Sequence, residues 1–142
     1  MAEQNYKNHR QMVPIYNYVI STAIVAVLIG SIVNVVNSSD KNLYSASLLV
    51  VVSLILVGLY LYARAFPLKA QDRAIRAEEN LRHFALTGKL LDNRLKIKQI
   101  VALRFASDEE FVGLAQRAAN ENLSNNAIKK QIKNWRGDYY RV

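Results

Sequence analysis

The sequence predicts an all-α protein: a two-helix transmembrane hairpin, a second span continuing into a cytoplasmic helix, and a small C-terminal helical domain. Three observations predict it. Residues 13–36 run for 24 positions without a charge and residues 43–63 for another 21, and at about 1.5 Å per residue each covers a hydrocarbon core of about 30 Å. The chain has 142 residues, too few to wrap two helices that are apolar all round inside a soluble core. Finally, "LYARAFPLKAQDRAIRAEENLR", Leu61 to Arg82, passes from apolar to charged helical sequence with no glycine or polar linker. The organisation expected is a cytoplasmic segment 1–12, a hairpin 13–63, a juxtamembrane rod 64–86 and a helical domain 87–142.

Aromatic placement agrees with the spans. Tyr16 and Tyr18 open the first, Tyr44 opens the second, and Tyr60 and Tyr62 close it, where amphipathic rings settle at the headgroup layer. The first apolar run is too long for the core of a signal peptide. Lys7 and Arg10 precede the first span, the loop "NSSDKN" has only Lys41, and Arg64, Lys69, Arg73 and Arg76 follow the second. Basic residues favour the cytoplasmic side, so both termini are expected there. From Arg64 onward lie 16 of the 19 basic residues and 9 of the 11 acids, the source of nearly all the net charge of +8. The chain has no cysteine, so neither a disulfide framework nor thiolate chemistry enters.

Within the first span, Thr22, Ala26, Gly30 and Asn34 recur every four residues as a small, weakly polar stripe suited to close helix packing. The short loop makes the second span, with Ser47 and Gly58 among its small residues, the favoured partner; a helix of another protein is the alternative. Neither span contains an ionisable residue, which argues against a proton relay, a charged pore or a transporter site.

Beyond the spans, Ala70, Ala74, Ala77, Leu81 and Phe84 step by four and three, the spacing of a helix-packing seam. Its alanines bury little area, so this seam is not expected to hold a dimer by itself. Asp72 with Arg76 and Glu78 with Arg82 form i,i+4 pairs on a solvated face. Pro67 is expected to kink the helix or restart it in a first turn. Arg64, Lys69, Arg73 and Arg76 act as topology determinants and are candidates for anionic lipid headgroups.

"LTGKLLDN" breaks the helix, with Gly88 as C-cap and Asp92 or Asn93 as a new N-cap. "LKIKQIVALRF" fits both periods, and a helix is expected because a solitary strand would lack a partner. "SDEE", Ser107 to Glu110, reads as a capping box in which the Ser107 hydroxyl meets the Glu110 amide, opening a helix that buries Phe111, Ala115 and Ala118, with Val112 and Ala119 beside them. "LSNNAIKKQIKNW" predicts a last helix with an apolar stripe of Ile128, Ile132 and Trp135, offered both as part of a small core and as the surface that docks a partner. Lys129, Lys130, Lys133 and Arg136 form a basic stripe, a candidate anionic-ligand or nucleic-acid contact, although a plain solvated cationic face explains it more simply.

No catalytic set, metal spacing or cofactor motif emerges. His9 and His83 are the two imidazoles, and no phosphate-binding glycine loop or nucleophile elbow accompanies them. His83 reads as a surface residue. The Arg136-Gly137-Asp138 tripeptide and the sequons at Asn37 and Asn122 are treated as coincidence.

Four stretches, "MAEQNYKNHRQMVP", "ARAFPLKAQDRAIRAEENLR", "QIVALRFASDEE" and "AIKKQIKNWRGDYYRV", resemble a family of small bacterial two-span membrane proteins classed as a domain of unknown function. The likeness covers nearly the whole chain, with Gly137 where proline is expected. It implies a bacterial inner-membrane setting and supplies no activity, cofactor or catalytic residue. The expected function is therefore a non-enzymatic, membrane-anchored adaptor or accessory subunit whose partners are membrane lipid and another membrane or cytoplasmic protein, or itself. The alternatives are a tethered nucleic-acid or anionic-ligand binder, or a self-assembling homo-oligomer.

Overall fold

A computed structural model describes residues 4–9 and 12–139; Arg10, used above for orientation, lies outside them. The fold is all-α. A π-helical turn, Ile15–Ile20, leads into α1 (Ser21–Val36), followed by α2 (Leu43–Thr87), α3 (Ile97–Leu103), α4 (Asp108–Asn120) and α5 (Asn125–Gln131). The π-turn has no signature in the residues. The chain divides into two compact units, Met12–Pro67 and Met1–Gln11 with Leu68–Val142. Residues 68–86 of the expected rod and the N-terminal segment fall in the same unit as the C-terminal helices.

In the first unit, the π-turn with α1 and the first half of α2 are each long and apolar enough to cross a membrane. They meet along small residues, but not along the stripe expected. Ser31 and Ser53 are the buried pair, 6 % and 1 % exposed, with their hydroxyl oxygens 3.1 Å apart. Each hydroxyl also donates to its own helix, to Leu28 O at 2.8 Å and Val50 O at 2.7 Å. Ala46 is buried with them. Tyr16 and Tyr60 stack at 4.5 Å between ring centroids and exchange hydrogen bonds: the Tyr16 hydroxyl donates to the Tyr60 carbonyl and the Tyr60 hydroxyl to the Tyr16 carbonyl. Thr22, Ala26, Gly30 and Asn34 are all exposed, and a Cβ at Gly30 would meet nothing within 4 Å. The second span is therefore not their partner. The contact runs instead through Ser31, whose hydroxyl meets that of Ser53, with Ser21, Leu28 and Val35 of the same helix partly buried.

Helix α2 continues through Pro67, so the restart expected there does not occur. It ends where Gly88 takes φ +71° and its amide donates to Phe84 O at 2.8 Å, the left-handed cap foreseen.

The second unit closes around one small core. Phe105, Phe111, Leu103, Ala102 and Ala118 are essentially inaccessible, and Leu91, Leu95, Ile100, Leu114, Ile128 and Ile132 complete the cluster. Burying such side chains contributes on the order of 1.5–3 kcal/mol each. The N-cap of α3 is Lys96, not Asp92 or Asn93. The reason is Gln99, whose Oε1 accepts the Lys96 amide at 2.7 Å while its Nε2 donates to Ala118 O and Leu123 O at 3.2 and 2.9 Å. Asp92 closes a tight turn instead, accepting the Arg94 amide at 2.9 Å.

Ser107 is the N-cap of α4, but its hydroxyl makes no capping bond to the helix. Glu110 does not complete the box because its carboxylate is engaged elsewhere, accepting the Lys133 and Asn134 amides at 3.0 and 3.2 Å. The last helix is shorter than the apolar stripe implied. It stops at Gln131, and Ile132 is extended. Trp135 leaves the helix to form an antiparallel bridge with Ala106, through Ser107 N to Asn134 O at 3.1 Å and Arg136 N to Phe105 O at 2.8 Å. Among the described residues this is the one β-type pairing.

Candidate functional site

The part of α2 beyond Pro67 carries two opposed faces. One is held by the domain. Ile75 and Glu79 are each 5 % exposed, and Arg82 is the fastening between this face and α4. Its Nη1 donates to Glu79 Oε2 at 3.0 Å, its Nε and Nη2 lie 2.7 and 2.6 Å from Asp108 Oδ1, and Nη2 donates to Ala106 O at 2.8 Å. Its guanidinium also lies over the Phe111 ring at 4.3 Å. The surface pair expected between Glu78 and Arg82 does not form, because a planar five-donor group is better satisfied by two carboxylates, a carbonyl and a ring. Nor does Asp72 pair with Arg76 among the described residues.

Beside this fastening lies a cleft of about 530 Å³ whose lining includes Glu78, Glu79, Arg104, Arg136 and Asp138. Its charges are largely paired internally: Arg104 Nε lies 3.2 Å from Asp138 Oδ2 and Arg136 Nη1 lies 4.0 Å from Glu79 Oε1. Burial pushes the Glu79 carboxyl above the usual range, against the opposing pull of Arg82. Among the described residues no group of three potential ligands could hold a metal ion.

The other face of α2 is open. Ala70, Ala74, Ala77, Leu81 and Phe84 are all exposed, Leu81 to 68 % and Phe84 to 52 %. The seam spacing is intact and all five side chains are exposed among the described residues, with Ala74 also on the edge of the cleft. Of the four cations assigned to lipid, Lys69, Arg73 and Arg76 are exposed and share one side of α2, whereas Arg64 is partly buried.

The residues offered as a docking surface fall elsewhere. Ile128 is fully buried and Ile132 is 6 % exposed, with Trp135 packed against the same core. Ile128 and Ile132 cannot be reached by a partner without unfolding the domain, whereas Trp135 is partly exposed. The basic residues do not converge either. Lys129 Nζ lies 3.1 Å from His9 Nε2 and 5.6 Å from the Phe105 ring centroid, Arg136 leans toward Glu79, and Lys130 and Lys133 are exposed. His83 is half-buried, its Nδ1 2.7 Å from Lys89 O and its ring edge-on to Phe111.

Sequence reasoning missed the N-terminal segment as part of the domain. Gln4 donates from Nε2 to Asp138 O at 3.1 Å and accepts the Asp138 amide at Oε1, 2.9 Å. The His9 ring lies 5.8 Å from Phe105 and 5.7 Å from Trp135, centroid to centroid. His9 Nδ1 faces Tyr6 O at 2.8 Å, an arrangement in which Nδ1–H donates and Nε2 accepts from Lys129. No local pattern in residues 4–9 announces these contacts.

A family of unknown function, DUF6526, has a profile that matches residues 1–142. The chain belongs to DUF6526. No curated protein matches the chain, and no solved structure does. Membership in DUF6526 therefore carries no activity to this chain, and its functional surfaces rest on the geometry above.

Proposed function

We propose that this DUF6526 protein is a non-enzymatic, membrane-anchored adaptor or accessory subunit, inserted in a bacterial inner membrane as a two-pass hairpin with both termini cytoplasmic. The observation that carries the reading is the continuity of α2: a helix that begins as an apolar, span-length segment ends clasped by a folded domain through Arg82. The apolar segment and the segment clasped by the domain belong to one helix, Leu43–Thr87. The orientation rests on the Lys and Arg distribution and on the N-terminal segment packing against the domain that follows α2. Both ends then share one compartment.

The docking surface in this reading is the open face of α2, and the exposed Lys69, Arg73 and Arg76 lie where headgroup or solvent contact is available. Ile128, Ile132 and Trp135 serve the domain's own core. Purification of the native protein in mild detergent, followed by mass measurement and identification of co-purifying chains, tests the proposal. A complex larger than one chain is expected; a monodisperse monomer with no companion contradicts it.

A further inference from the structure

The open face of α2 has a pattern of charge that specifies its occupant. In heptad terms Ala70, Ala77 and Phe84 occupy d positions and Ala74 and Leu81 occupy a. Arg73 then stands at g and Glu78 at the following e, on opposite flanks of the seam. Both are exposed, and neither has an ion-pair partner among the described residues. Glu78 does not pair with Arg82, which turns to Glu79 and Asp108; it stands between the seam and the cleft whose edge it also lines.

In a parallel two-stranded coiled coil the g residue of one helix faces the e residue five positions later on the other. The separation from Arg73 to Glu78 is that interval. In a symmetric pair the contact forms twice, Arg73 of each copy with Glu78 of the other. An antiparallel arrangement would instead bring g to g and e to e, setting like charges against each other. The three alanines allow close approach of the helix axes, while Leu81 and Phe84 supply the apolar area.

We infer that the occupant of this face is a second copy of the same chain, aligned in parallel through Ala70 to Phe84 and held in register by reciprocal Arg73 and Glu78 pairs. The inference rests on the membrane-anchored reading, since copies inserted the same way present α2 in the same direction. It names the companion that reading leaves open.

The chain has no cysteine, so single replacements report proximity without background. Ala70→Cys, Ala77→Cys and Arg76→Cys variants of the full chain are oxidised in native membranes and the products weighed. Disulfide-linked homodimer is expected at positions 70 and 77 and not at 76, which lies away from the seam. Adding Arg73→Glu to Ala77→Cys is expected to abolish the dimer, and adding Glu78→Arg as well is expected to restore it. Equal crosslinking at all three positions would mean random collision and overturn the inference, as would no crosslink at 70 and 77 or no rescue by the double reversal. A product joining this chain to a different protein would also overturn it while leaving the adaptor reading intact; a monomer throughout would remove both.

Discussion

Gln4 and Asp138, 134 positions apart in sequence, exchange two hydrogen bonds, Nε2–H to the Asp138 carbonyl at 3.1 Å and the Asp138 amide to Oε1 at 2.9 Å. A side chain that satisfies both backbone groups of one residue acts as a strand-like clasp without a strand. Gln4→Ala leaves both groups to solvent and is expected to cost about 1–2 kcal/mol. Amide hydrogen exchange at Asp138 measures it: protection is lost in the variant, whereas unchanged protection would show that the clasp does not form.

Arg82 ties α2 to Asp108 and to the Ala106 carbonyl. Arg82→Ala strands Glu79, whose side chain is 6 % exposed, and removes the bond to Asp108, an expected loss of about 3–5 kcal/mol. Arg82→Lys keeps the charge but not the fork and falls between. The single tryptophan, Trp135, lies against the core and reports domain unfolding by fluorescence in denaturant.

The pH dependence has two limbs of opposite sign. Glu79 holds its proton more tightly in the folded domain than in the unfolded chain because burial raises its carboxyl. Its ionisation therefore subtracts stability, not at all below the ordinary value of 4.5 and fully once pH exceeds the raised one. Asp92 behaves oppositely. The Arg94 side chain, then its amide, bring Asp92 down to about 2, so its contribution is present above 3.8 and lost as pH falls toward 2. Glu79→Gln is expected to flatten the decline that sets in above 4.5 and Asp92→Asn the acid limb, each seen in unfolding midpoints across pH.

Core and surface are separable among the residues of the last turn. Ile128→Ala removes a fully buried side chain and is expected to cost about 2–5 kcal/mol. Lys130→Ala, on an exposed neighbour, should stay within about 0.5 kcal/mol. Chemical denaturation of the two variants decides whether Ile128 is core or docking surface.

In the apolar unit, Ser53→Leu forces bulk into a 1 % exposed contact beside Ser31, an overpacking expected to cost about 1–3 kcal/mol. Gly30→Leu meets nothing within 4 Å of its new Cβ and should leave the hairpin unchanged. Thermal unfolding in detergent separates the pair.

The features legible in the sequence were those set by local chemistry. The charge-free lengths gave the two apolar helices; Gly88 marked a helix end because a left-handed residue acts within a few positions. What stayed hidden was the choice among equivalent partners. Arg82 had Glu78 and Glu79 within one turn and Asp108 far along the chain, and only tertiary packing selects the last two. The every-fourth-residue stripe at Thr22 to Asn34 drew attention to small side chains, while the hydroxyl pair Ser31 and Ser53 on an adjacent face makes the contact. The apolar spacing of Ile128, Ile132 and Trp135 looked helical to its end, yet Trp135 pairs with Ala106, a distant residue no local pattern names. The spacing of Ala70 to Phe84 is visible in the sequence, whereas its exposure depends on where the domain packs.

The central claim is that two apolar helices cross the membrane as a hairpin and return both ends of the chain to one compartment. Separate fusions of a cytoplasm-active and an export-active reporter to the amino and the carboxyl end of the whole chain test it most directly. The account predicts that the cytoplasmic reporter is active and the exported one silent at both ends; activity of opposite reporters at the two ends would contradict it.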